Sequence, residues 1–268
     1  MLQSFRKHLI WIAVISSVIF LFLLLPMLVV VPLSLNAEPY FSFPVQEYST
    51  RWYQSVYSSF AWRTAFRNSF IVAISTVCLA VPLGILAAIG LNSMRPRERS
   101  TLLVVYILPL VIPQIITALG IFFFFSDIGL SRTLFGIVLA HTLLSFPFVV
   151  LAVDASLSQF DSNLIRAGFS LGAQPLRVLL TIIVPNIVPG IVAGIIFAFM
   201  TSFDEVVLVI FLASPEQFTV PREMWKGARE EISPEILAVA SIMMTLTLIA
   251  FSLLEVFRDR RSNASPGL

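Results

Sequence analysis

Apolar residues do not alternate along this chain; they run on, and the polar interruptions carry the pattern. The stretch LIWIAVISSVIFLFLLLPMLVVVPL (9–33) exceeds the ~20 apolar residues that a helix needs to cross the hydrocarbon core of a bilayer. Breaks in the pattern predict six spans, about 9–35, 64–93, 101–126, 133–156, 182–213 and 235–257. Polar, turn-rich segments join them, such as NAEPYFSFPVQEYSTRWYQS after the first and MRPRERS after the second. Within lipid every backbone polar group needs an internal partner, so consecutive spans of this length are helices. The pattern therefore predicts an all-α integral membrane protein, with 1–268 as a single transmembrane domain.

Composition sharpens this. The chain is 58% hydrophobic and 12% charged, with a mean hydropathy of +0.94, against about 25% charged residues in a soluble domain. The first run is longer than the roughly 7–15 residues of a signal-peptide core and is closed by no small-residue cleavage site, so it reads as a retained span. A net charge of +2 gives no footing for nucleic acid, and the lone Cys78 excludes an internal disulfide. With the N-terminus inside, the dense basic clusters RPRER (95–99) and RDRR (258–261) fall on the same side as Arg6 and Lys7. The positive-inside rule then predicts that both termini are cytoplasmic, which requires an even number of spans.

On this topology the segment from about 157 to 181 is a cytoplasmic elbow. Asp161 or Ser162 can cap a helix start. Leu164, Gly168 and Leu171 follow at helical spacing on one stripe. Gly172 permits the left-handed residue that ends many helices, and Pro175 suits the first turn of the next. The expected helix has about ten residues, roughly 15 Å. Its small residues, Ala167, Gly168, Gly172 and Ala173, let another surface approach the backbone, although such a helix can also simply lie on the membrane. Pro185 and Pro189 stand at the start of the fifth span, where a kink would act as a hinge.

The elbow resembles the cytoplasmic signature of the permease subunits of ATP-binding-cassette importers: Glu-Ala-Ala, three residues, glycine, and after about nine residues an isoleucine and a proline. Arg166, Ala167 and Gly168 stand at the Glu-Ala-Ala positions, Gly172 at the glycine, and Ile182 and Pro185 at the later ones. Pro189-Gly190-Ile191 fits the usual extension. SFDEVVLVIFL (202–212) and VPREMWKGAREEISPEILAVAS (220–241) are similar to the polyamine-transport branch. The resemblance implies a type I importer permease fold in a bacterial inner membrane. It implies a coupling helix, carrying Leu164, Arg166, Ala167, Gly168, Leu171, Gly172 and Ala173, seated in a groove of an ATPase dimer. It also implies a second, related permease, a periplasmic substrate-binding protein, and a small cationic amine as cargo. Arg166 departs from the pattern, reversing the charge at one contact.

Chemistry-bearing residues are few. No G-x-x-x-x-G-K-[ST] loop is present, and the two lysines, Lys7 and Lys226, lie in nothing like it. The chain is thus expected to carry no cofactor and no catalysis, with ATP and Mg held by the partner ATPase. Two histidines, His8 and His141, are too few for a metal site. His141, within the fourth span, reads as a hydrogen-bonding partner of a neighbouring helix in preference to a proton relay. The run Phe122 to Phe125 reads as packing against lipid or helices in preference to a gate. Asp204 and Glu205 are the informative acids: an acid at the bilayer centre costs about 2.5–3.5 kcal/mol on insertion scales, so each needs water, a partner or a ligand. Adjacent helical positions point ~100° apart, so one of the two can face a central pathway squarely. They form part of a substrate pathway, or they pair structurally with Arg63 or Arg67. For the whole protein, the alternative is a secondary transporter or channel using the same two acids as a proton or ion site.

Overall fold

A computed structural model of the chain describes residues 2–40, 42–230 and 234–263. In chain order the helices are α1 (Leu2–Ser34), α2 (Arg51–Ser58), α3 (Phe60–Asn92), α4 (Pro96–Val111), α5 (Gln114–Asp127), α6 (Leu134–Leu157), α7 (Asn163–Ser170), α8 (Pro175–Val178), α9 (Val184–Asn186), α10 (Val188–Phe203), α11 (Val207–Leu212), α12 (Val220–Glu230) and α13 (Pro234–Asn263). A π-helical turn, Leu179–Ile183, joins α8 to α9. Extended pairing among the described residues is confined to one bridge, Asn36 with Tyr48. The chain divides into two compact units, Met1–Phe60 with Lys226–Leu268, and Ala61–Trp225.

In the first unit α13 packs against both α1 and α2. The joint is polar where the helices meet: Tyr53 Oη lies 2.6 Å from Ser34 Oγ and 2.6 Å from Ser241 Oγ, and Ser55 Oγ donates to Glu235 Oε1 at 2.8 Å. Buried Asn36 organises the loop after α1, its amide donating to Tyr40 O and Ser42 Oγ while its backbone carbonyl accepts from Trp52 Nε1. Trp11, Phe20, Phe22 and Leu28 of α1 are exposed, as suits side chains whose solvent is lipid.

The second unit is built around α6, of which Ile137, Val149, Val150 and Val153 are fully buried. Helix α10 lies along it through Gly190, Gly194, Ala198 and Ser202, four residues apart and all buried. A Cβ on Gly190 would come within 2.6 Å of Ser156 Cβ and 2.7 Å of the Ala152 carbonyl; one on Gly194 would stand 3.1 Å from Val149 Cγ1. Between helices in lipid there is little hydrophobic drive, so close backbone approach through small residues supplies the attraction. Polar links cross the same seam. His141 Nδ1 lies 2.8 Å from Ser202 Oγ, and Ser202 Oγ is 3.4 Å from Thr76 Oγ1 on α3, so His141 does bond to a neighbouring helix.

Three described helices are long and apolar enough to span by themselves, Trp11–Ser34, Phe60–Asn92 and Leu134–Leu157. The third span, expected as one run, is broken, and the fifth bends at its start, where Pro185 and Pro189 predict a kink. Helices α4 and α5 meet at 96°, because Pro113 donates no hydrogen bond and drives the preceding Ile112 into the extended region, φ −69° and ψ 133°. The segment Pro175–Asn186 meets α10 at 76°. A second break, at residues 204–206, separates α10 from α11.

Candidate coupling elbow and pathway acids

Helix α7 has eight residues, shorter than the sequence predicts. Asp161 makes the cap: its Oδ1 accepts from the Asn163 N–H at 2.9 Å, while Ser162, at the N-cap position, makes no side-chain bond. At the other end the Ala173 N–H donates to the Gly168 carbonyl at 3.1 Å and the Gly172 N–H to the Phe169 carbonyl at 2.9 Å, with Gly172 at φ +78°. This is a Schellman closure, which satisfies carbonyls that the helix end would leave free. A Cβ on Gly172 would meet nothing within 4 Å, so backbone conformation selects glycine there.

Gly168 is buried for the opposite reason. A Cβ on it would lie 2.7 Å from Ile182 Cδ1 and 3.3 Å from Val178 Cγ2, so the close approach it permits is filled by the chain's own next segment. The expected stripe of Leu164, Gly168 and Leu171 therefore does not form one exposed face. Leu164 is 45% and Leu171 88% exposed, and Leu171 lies past the helical residues, at φ −81° and ψ 5°, where helical spacing no longer applies. Arg166 and Ala167 are exposed, Ala173 is half-buried, and Phe169, to which the sequence pattern assigns no role, is 49% exposed. Pro185 and Pro189 are both exposed. The bend falls between them, at Ile187, with φ −98° and ψ 9°.

Asp204 and Glu205 part company at the end of α10. Asp204 is the C-cap, its N–H donating to the Met200 carbonyl at 3.0 Å; its side chain is exposed. Glu205 is 6% exposed. Its Oε1 accepts from the Leu208 N–H at 2.8 Å, and its Oε2 accepts from Gln114 Nε2. Neither acid pairs with Arg63 or Arg67, which are exposed, so that structural pairing is not realised. No cluster of three or more potential metal ligands occurs among the described residues.

Two contacts between helices escape sequence reasoning altogether. Gln114 is one, since nothing in its local pattern marks an amide as the partner of an acid so far along the chain. The other is Arg99, which reads as one more charge in a basic cluster. Its guanidinium holds both oxygens of Asp154, at 2.7 and 2.8 Å, tying α4 to the end of α6 just before the elbow.

Residues 80–263 match the model of the family described as binding-protein-dependent transport system inner membrane component. The chain belongs to this family. The permease is 30% identical over 241 residues to the putrescine transport system permease protein PotI of Escherichia coli K12, covering 87% of this chain and 85% of the relative. It is 27% identical over 246 residues to the spermidine/putrescine transport system permease protein PotC of Haemophilus influenzae Rd, covering 92% and 95%. Among solved structures, a bacterial ABC transporter that imports the acidic polysaccharide alginate aligns with a TM-score of 0.75 at 16% identity, over 95% of this chain and 97% of that one. An inward-facing methionine ABC transporter, MetNI, aligns at 0.55 and 19%, over 77% and 94%. These two likenesses are of fold, the type I importer permease fold. The permease is thus a multi-pass inner-membrane subunit of an ABC importer that works with a binding protein, and it is not an enzyme. Nothing among these likenesses supports a secondary transporter or channel.

Proposed function

We propose that this permease is one of two related membrane subunits of an importer for a small cationic amine of the polyamine class. Both termini are cytoplasmic, and an ATPase dimer that holds ATP and Mg drives the cycle. The reading of the cargo rests on the names of the relatives, permeases for putrescine and for spermidine/putrescine. It is strengthened by Asp204, whose carboxylate stands exposed in a break of α10 and α11. A cation entering that break exchanges part of its hydration for a negative charge.

The elbow carries the coupling proposal. Leu164, Phe169 and Leu171 project apolar surface from a helix end that is closed and fixed, with Arg166 beside them. Apolar anchors with a charged neighbour are what a groove on a partner can hold. Gly168, packed on Val178 and Ile182, makes the elbow continuous with the segment that leads into α10. A push on α7 is thereby delivered to α10, with Pro185 and Pro189 flanking the hinge at Ile187.

The decisive experiment is uptake of labelled putrescine and spermidine into proteoliposomes holding the permease, its partner permease and the ATPase. Uptake is expected to require both the binding protein and ATP, and to be unaffected by collapsing proton and sodium gradients. Gradient-driven uptake without ATP would overturn the reading, and ATP-dependent uptake that ignores both amines would overturn the cargo.

A further inference from the structure

Two of the three span interruptions inside the second unit converge on one hydrogen bond. Gln114 is the first residue of α5, immediately after the 96° bend that parts α4 from α5. Glu205 lies in the break between α10 and α11. Gln114 Nε2 donates to Glu205 Oε2, and Glu205 Oε1 caps α11 by accepting from the Leu208 N–H at 2.8 Å. One buried carboxylate therefore holds the start of two helices, one oxygen to each. Thr117, one turn along α5, adds no second tie; its buried hydroxyl has no partner.

The chemistry at this point is narrow. A broken helix within the bundle leaves backbone groups that must find partners, and a carboxylate buried beside them must be hydrogen-bonded on both oxygens to be tolerated. An amide at 114 donates without adding charge. A leucine would strand Oε2, and a second acid would oppose it at close range. Asp204, by contrast, has no side-chain partner among the described residues.

We propose that Gln114 is a positioning residue of the transport cycle: through Glu205 it ties the break in one span to the break in the other, so that both bends change together, and it withholds Glu205 from the cargo. The proposal rests on the reading that cargo passes the break at Asp204. Helices α5 and α11 also pack on each other, and this bond is the polar contact that joins their two breaks.

The test uses the complete reconstituted transporter with labelled putrescine. Maximal uptake, apparent KM and ATP hydrolysed per amine carried are measured for Gln114→Leu, Gln114→Glu, and the exchange Gln114→Glu with Glu205→Gln. Loss of a hydrogen bond to a buried charge should lower maximal uptake about tenfold in Gln114→Leu, raising the ATP used per amine while KM stays unchanged. Gln114→Glu should fare no better. The exchange should recover uptake, because the new amide at 205 donates to the new carboxylate at 114 while its carbonyl still caps Leu208. Normal uptake and stoichiometry in Gln114→Leu would overturn the proposal. So would an exchange variant no better than Gln114→Glu, and this comparison decides the matter if Gln114→Leu fails to assemble. Asp204→Asn separates the two readings: an unchanged KM there removes the cargo path, whereas the tie stands or falls on the exchange.

Discussion

Two glycines four residues apart in the elbow do opposite work, and substitution should tell them apart. Gly172 stands at φ +78° in open space, so Gly172→Ala should cost about 1–2 kcal/mol in backbone strain alone, weakening ATPase association without harming membrane insertion. Gly172→Asn should retain most of the function, because asparagine tolerates this conformation. Gly168→Leu should instead force Ile182 and Val178 aside, detaching the elbow from its own chain. Co-purification of the ATPase with each variant gives the ranking: wild type, Gly172→Asn, Gly172→Ala, Gly168→Leu. Equal recovery of all four would sink the elbow as the docking element. The role of Gly172 was legible, because a glycine before Ala-Gln-Pro is a local signal for helix termination. That of Gly168 was not, since what fills the space above it comes from residues ten and fourteen positions later. The fate of Glu205 was equally out of reach, because its partner Gln114 belongs to another helix.

The helices themselves were largely visible as apolar runs, and so was the kink at Pro185 and Pro189, but the bend at Pro113 and the break at 204–206 were not. An apolar run reports that a segment lies in lipid and is silent on whether it lies straight. Pro109 and Pro113 both occur in the third run, and only the second marks the sharp bend. The seam between α6 and α10 makes the sharpest prediction at this scale. Gly190→Leu would place side-chain atoms where Ser156 Cβ and the Ala152 carbonyl stand, 2.6 and 2.7 Å from a bare Cβ, and backbone cannot give way there. It should abolish folded permease, measured as the monodisperse fraction after detergent extraction. Gly194→Ala meets Val149 Cγ1 at 3.1 Å and should cost about 1 kcal/mol, at the low end for overpacking. A thermal transition unchanged in both variants would mean that the helices are not held by close approach at this seam.

At the scale of the whole permease, Arg99 ties α4 to α6 through Asp154, the two side chains being 38% and 14% exposed. Arg99→Ala leaves a mostly buried carboxylate alone, and after allowance for the exposed guanidinium this should cost about 1–2 kcal/mol. Arg99→Asp combined with Asp154→Arg should recover part of the loss, in transition temperature and in uptake alike. No recovery in either would reduce the pair to a bystander. Glu205, already engaged, has one more effect on this molecule. Its carboxylate sits at the start of α11, where backbone N–H groups carry partial positive charge, and offsets it; among the described residues nothing comparable offsets the end of α10. There the last carbonyls carry a partial negative charge beside Asp204, so on the proposed cargo path the backbone itself adds to the field around an amine. Asp204→Asn should therefore weaken the preference for diamines over a neutral solute of equal size without erasing it, as competition in the uptake assay would reveal. On that path, cation preference belongs partly to a peptide dipole that no side-chain substitution can remove.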